Sequence, residues 1–97
     1  MKREINEEKL KDYLEKTRKG LEVVKIAVPE RSYLHRLAED FLGMARAYYN
    51  DALHFYQQGD FVNAFACVNY AHGWLDAGAR IGLFDVDRDD KLFTLWE

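Results

Sequence analysis

The sequence predicts an all-α protein, a three-helix up-down-up bundle with a short apolar C-terminal tail packed on it. Three segments repeat apolar residues at spacings of three and four, the period of an amphipathic helix, and none alternates as a strand would. The only proline, Pro29, separates the first two segments, and Gly59-Asp60 separates the second from the third. The predicted elements are helices at about residues 6–27, 32–58 and 60–82 and a tail at 83–97.

The first helix is indicated by its start and by one apolar face. Asn6 can cap it, because an asparagine side chain accepts backbone N–H groups of the first turn. Ile5 and Leu10 stand at the spacing of a hydrophobic staple across that cap. The apolar face carries Leu10, Leu14, Thr17, Leu21, Val24 and Val28. The opposite face is rich in lysine and glutamate, and we interpret it as solvated.

The second helix is the longest and has the most regular stripe. Its apolar positions, spaced as in a bundle seam, are Leu34, Ala38, Phe41, Ala45, Tyr48, Ala52 and Phe55. The opposite face is expected to meet water and holds Arg36, Asp40, Gly43, Ala47, Asn50, His54 and Gln57. A helix of this length extends about 40 Å, so we expect it to be the spine of the domain.

The third helix has a clear start and stop. Asp60 can cap it after Gly59, and Gly82 can end it because glycine readily adopts positive φ. The segment is apolar around much of its circumference, which predicts a helix lying between others. Small residues at close-approach spacings are Ala64, Cys67, Ala71 and Gly78. We expect Ala64 and Ala71 to lie where the second and third helices approach closely.

The second and third helices together resemble one tetratricopeptide unit. The spacings that carry the resemblance are those of Tyr48, Ala52, Phe55, Gly59, Phe61, Ala64, Val68 and Ala71. The match covers about a third of the chain and no second copy is visible. We therefore predict a lone tetratricopeptide-like αα-hairpin that the first helix completes.

A second resemblance is more specific. It rests on the runs GDFVNA at 59–64, NYAHGWLDAG at 69–78 and RIGL at 80–83. These runs resemble the signature of a family of small archaeal proteins catalogued as domain of unknown function 357 (DUF357). The resemblance implies an all-helical bundle in an archaeal cytoplasm. It implies no active site, because no activity is assigned to that family.

Composition and charge limit the classes of function. A chain of 97 residues with 48% hydrophobic residues is expected to form one globular domain, residues 1–97. Its net charge of −3 argues against a nucleic-acid partner. Its longest uncharged stretch, 61–75, falls short of the roughly 20 apolar residues that span a bilayer. One cysteine cannot form an internal disulfide, so we predict a soluble cytoplasmic protein.

One polar constellation is a candidate site. Asn69, His72, Asp76 and Arg80 fall on one side of the third helix. The favoured interpretation is the water-facing side of an otherwise apolar helix. The alternative is an imidazole oriented by a carboxylate beside an arginine, which could bind an anion or move a proton.

Metal, cofactor and nucleophile motifs are weak. Asp51 and His54 have helical ligand spacing, but a di-iron bundle needs two such motifs and further glutamates. The acidic run 85–90 opens like a calcium loop, yet Asp90 replaces its turn glycine. Cys67 lies on an apolar side, as a small buried hydrophobe would. No glycine-rich phosphate loop is present, and we predict no cofactor and no metal site.

Aromatic residues point to an interaction surface. Five large apolar residues in the final fourteen, Phe84, Leu92, Phe93, Leu95 and Trp96, are expected to fold onto apolar surface of the same or a second chain. Tyrosine and tryptophan are enriched where proteins meet. The candidate contact residues are Tyr49, Tyr56, Trp74, Phe93 and Trp96.

Two functions follow from these observations. The preferred hypothesis is a non-catalytic adaptor or homo-oligomeric module that binds protein, with no nucleic acid and no membrane as partner. The alternative is a small-molecule or nucleotide-handling enzyme that uses His72, Asp76 and Arg80. An enzyme needs a concave pocket around those residues, whereas an adaptor needs an exposed apolar patch elsewhere.

Overall fold

The bundle consists of three helices packed against one another. A computed structural model describes residues 6–85. In this range the helices are α1 (Glu7–Val23), α2 (Tyr33–Gln57) and α3 (Phe61–Arg80). The most extensive contact is between α2 and α3, and α1 packs on both. The predicted all-α bundle is confirmed.

The first helix is shorter than predicted. It ends at Val23, because Val24 adopts an extended conformation with ψ of 136°. The next residues form β1 (Lys25–Ile26), which pairs antiparallel with β2 (Phe84–Asp85). The prediction of a helix to residue 27 and of no strand was therefore wrong. β-Branched residues and the following proline disfavour helix here, and pairing with the distant β2 supplies the backbone hydrogen bonds.

A side-chain oxygen caps each of the three helices, as predicted for Asn6 and Asp60. The Asn6 side chain accepts the Glu8 N–H at 2.7 Å, and the Ser32 hydroxyl accepts the His35 N–H at 3.1 Å. The hairpin turn contains Gly59 with φ of 78°, and the Asp60 side chain accepts the Asn63 N–H in the first turn of α3. The turn between the second and third helices is confirmed, and its tetratricopeptide-like character stays a prediction.

The core has two clusters of buried side chains. The first cluster lies near the β pair and contains Ala38, Ala45, Leu75, Leu83 and Phe84. The second cluster lies near the hairpin turn and contains Leu10, Leu14, Ala52, Ala64 and Val68. Leu34 is exposed at the start of α2, although the predicted stripe includes it. All of the opposite-face residues predicted for α2 are exposed.

The predicted tail is described only at its start. Leu83 and Phe84 are buried in the first cluster. Leu92, Phe93, Leu95 and Trp96 lie outside the described residues. Between residues 6 and 85, no helix is both long enough and apolar enough to cross a bilayer.

Ala71→Leu is expected to destabilise the fold by roughly 1 to 3 kcal/mol, because three added heavy atoms overpack a fully buried position. That change should lower the melting temperature by several degrees in a chain of this size. Circular dichroism during heating measures it, with Ala47→Leu on the exposed face of α2 as the matched control. Equal melting temperatures for the two variants would contradict the burial of Ala71.

Candidate functional site

The polar constellation on α3 is not a uniformly water-facing surface. Asn69 is exposed, but His72, Asp76 and Arg80 are half-buried. His72 lies against α1, where a hydrogen bond of 3.3 Å joins its Nδ1 to Thr17 Oγ1. Its Nε2 lies 3.6 Å from Asp76 Oδ1. The expectation of a solvated face therefore holds for Asn69 and is wrong for His72.

The three polar groups are arranged as in a nucleophilic site, with the Thr17 hydroxyl beside the His72 imidazole and the imidazole beside the Asp76 carboxylate. In such a site the hydroxyl is the nucleophile and must be able to reach a substrate. Thr17 is only 1% exposed and lies in the contact between α1 and α3. The chain of polar groups therefore acts as a link between two helices, since it satisfies a hydroxyl that would otherwise be buried without a partner.

Three of the five predicted aromatic contact residues lie in the described range, and they pack in different parts of the bundle. The Tyr56 hydroxyl donates to Glu7 Oε2 at 2.8 Å, and that hydrogen bond is the main reason why the pKa of Tyr56 is raised. Tyr49 packs against the second cluster, and burial raises its pKa. Trp74 packs against the first cluster. The other two predicted contact residues, Phe93 and Trp96, lie outside the described residues.

The structure reveals an exposed apolar face on α3 and its C-cap that the sequence interpretation missed. We call it the α3 stripe, and its exposed members are Val62, Ala66, Asn69, Tyr70, Gly73, Ala77 and Ile81. Val62, Tyr70 and Ile81 are 66%, 57% and 58% exposed. The sequence predicted that α3 lies buried between other helices, because apolar residues occupy much of its circumference. With only α1 and α2 to pack against among the described helices, one side of α3 is left in water.

A shallow groove occupies the middle of the α3 stripe. Its volume is about 410 Å³, and its lining residues are Ala66, Asn69, Tyr70, Gly73, Trp74 and Ala77. The aromatic rings at its edge rest on α2. Tyr70 contacts Tyr48 with ring centroids 4.6 Å apart, and Trp74 meets Phe41 edge-on at 4.9 Å. These contacts hold the groove wall in place.

The α3 stripe contains no acidic or basic residue. It therefore differs from a second groove, of about 470 Å³, at the start of α2. That second groove has lining residues of both charge signs, Glu30, Arg31, Ser32, Tyr33, Arg36 and Glu39. Of the two, only the α3 groove offers a continuous uncharged contact face.

Two other predictions concern metal ligands and the thiol of Cys67. Across residues 6–85, no group of three or more His, Cys, Asp or Glu side chains is placed to hold a metal ion. Cys67 is half-buried beside the second cluster. Burial raises the pKa of its thiol, and the carboxylates of Asp51 and Asp60 raise it further. The thiol is thus held in its protonated form, which is the less nucleophilic one.

Comparison with known proteins identifies a family. Neither a curated protein nor a solved structure matches the chain. The family described as "Protein of unknown function (DUF357)" matches residues 12–84. This span runs from the second turn of α1 to the first residue of β2, so it contains the polar link, the hairpin and the α3 stripe. The chain therefore belongs to the DUF357 family.

Proposed function

We propose that the protein is a non-catalytic protein-interaction module and that the α3 stripe is its contact surface. One observation carries the proposal, the exposure of Val62, Tyr70 and Ile81 along one uncharged face of α3. The largest contiguous apolar patch on a soluble monomer typically measures roughly 300 to 600 Å² and is often a binding site. Tyr70 lies at its centre, and tyrosine is among the side chains enriched where proteins meet.

The shape of the α3 stripe suits a helix as the binding element. Residues 62–81 span about 30 Å, the length of a five-turn helix. The small residues Ala66, Gly73 and Ala77 lower the middle of the face, so a second helix can approach closely. Binding of this kind uses anchors at spacings of three and four on an apolar helix face.

The charge pattern favours protein over nucleic acid as the partner. A phosphate backbone is bound through clustered lysine and arginine side chains. The α3 stripe has none, and the whole chain carries a net charge of −3. A cytoplasmic location is part of the proposal, because the single cysteine leaves no internal disulfide to favour an oxidising compartment.

The enzymatic alternative has weaker support. The His72 imidazole contacts a hydroxyl that is buried between helices, and neither of the two grooves described above has His72, Asp76 or Arg80 among its lining residues. The exposed apolar residues of the α3 stripe are the feature that an adaptor requires.

Photochemical crosslinking tests the proposal. Tyr70 is replaced by benzoylphenylalanine, and the purified protein is irradiated in a lysate of the source cells. We expect discrete protein adducts that excess unmodified protein suppresses. The same probe at Ala47, on the far face of α2, is the matched control. Equal adducts from both positions, or none from position 70, would exclude the α3 stripe as the contact surface.

A further inference from the structure

The three helices of the bundle are not joined equally. Residues 58–60 connect α2 to α3 in a tight hairpin, whereas residues 24–32 form a longer connection between α1 and α2. Within the described range, the aromatic pairs that join α2 to α3 are Phe41 with Trp74, Tyr48 with Tyr70, and Tyr56 with Phe61. Between α1 and the hairpin, the described residues form the pair Tyr13 with Phe65. The hairpin is therefore the more extensively packed part of the fold.

The contact surface of α1 is narrow. Its buried residues are Leu10, Leu14, Thr17 and Gly20. Only the two leucines among them have large apolar side chains. The ion pairs that Arg18 forms with Glu15 and Glu22 lie within α1. They stabilise the helix itself and do not hold it against the hairpin.

Side-chain hydrogen bonds join α1 to the hairpin at two levels. Near the start of α1, Glu7 accepts a hydrogen bond from the Tyr56 hydroxyl at 2.8 Å, in an exposed position. Further along, the hydrogen bond of 3.3 Å joins Thr17 to the half-buried His72. A hydrogen bond contributes little net stability when water can replace it. These contacts orient α1 but do not make its attachment strong.

The end of α1 provides a hinge. The helix stops before Val24, whose backbone is extended with ψ of 136°. Directly beyond it, β1 pairs with β2, and the Ala27 N–H donates to the Leu83 carbonyl oxygen at 2.8 Å. The chain after Val24 is thus held at the end of α3 by backbone hydrogen bonds that do not involve α1. A rotation at Val24 moves α1 and leaves the β pair in place.

We propose that α1 is a hinged cover, which opens as a unit about Val24 while the α2–α3 hairpin and the β pair stay folded. Segments with few buried apolar contacts are the ones that open locally in native proteins. The open state uncovers the apolar residues that share the second cluster with the α1 leucines, namely Ala52, Ala64 and Val68. This second apolar surface is buried in the closed state, unlike the α3 stripe, and its uncovering does not depend on what the α3 stripe binds.

Native-state hydrogen exchange followed by NMR tests the opening. A helix of 17 residues depends on packing for most of its stability, so α1 loses its own hydrogen bonds once it leaves the hairpin. The amides of residues 13–19 are expected to share one protection factor, at least about tenfold below those in the middle of α2 and α3. Fraying from the first turn would instead give a gradient along α1. Such a gradient, or equal protection in all three helices, overturns the proposal.

Two variants locate the opening within the structure. Tyr48→Ala removes a contact with Tyr70, on the side of α3 that α1 does not cover, and the open state keeps that contact. It should lower the protection of the α3 amides at least about fivefold and leave that of the α1 amides within about twofold. His72→Ala removes a contact of the closed state and should lower the α1 protection at least about fivefold. An α1 protection that falls as far as that of α3 in Tyr48→Ala, or that does not change in His72→Ala, would mean that α1 does not open separately, and the proposal would be wrong.

Discussion

Gly78→Ala is expected to destabilise the protein by about 2 to 4 kcal/mol, although alanine is the better helix former. A Cβ on Gly78 would lie less than 3.0 Å from two ring atoms of Phe84. That ring cannot move away cheaply, because Phe84 is buried in the first cluster and its backbone belongs to β2. The cost combines overpacking with partial loss of the buried ring, and it outweighs the gain in helix propensity of about 1 kcal/mol. Urea denaturation followed by circular dichroism measures it.

Two further variants make this result specific. Gly43→Ala in the middle of α2 meets nothing within 4 Å and should stabilise by about 0.5 to 1 kcal/mol. Combining Gly78→Ala with Phe84→Leu should recover part of the lost stability, because a smaller side chain leaves room for the new methyl group. If Gly78→Ala stabilises as Gly43→Ala does, the ring of Phe84 does not pack on α3.

The fold was predictable where local chemistry decides it. Asn6 and Asp60 cap helices as predicted, because each has a side-chain oxygen at the start of a helix. The β pair was not predictable. Ile26 and Phe84 pair although they are far apart in the sequence, and strands of two residues are too short to show an alternating apolar pattern. Gly78 illustrates both cases. Its small size indicated that another helix packs closely against it. The group that does so is the ring of Phe84, which belongs to β2 and not to a helix.

The candidate site was predictable only in part. A threonine within the apolar stripe of α1 was visible in the sequence, and a buried hydroxyl requires a partner. That the partner is His72 depends on how α1 rotates against α3, which periodicity alone does not determine. The α3 stripe was missed because an apolar helix was equated with a buried one. The exposure of the α3 stripe depends on how many helices pack on α3. That number cannot be read from the sequence of α3 alone.

His72→Ala is expected to destabilise the protein by about 1 to 3 kcal/mol. The hydrogen bond to Thr17 would be lost, and the desolvation cost of the buried Thr17 hydroxyl would no longer be offset by that partner. An exposed polar residue would cost under about 0.5 kcal/mol. Urea denaturation separates these outcomes, with the exposed neighbour Asn69→Ala as the control.

Thr17→Val distinguishes a polar link from simple packing. Valine keeps the shape of threonine and removes the hydroxyl, so in the His72→Ala background it should restore about 1 kcal/mol. In the wild-type background the same change should destabilise, because it breaks the contact with His72. Opposite signs in the two backgrounds demonstrate coupling between the two side chains. Equal effects in both would mean that Thr17 and His72 stabilise the bundle independently, and the contact between α1 and α3 would then depend on Leu10, Leu14 and their apolar neighbours alone.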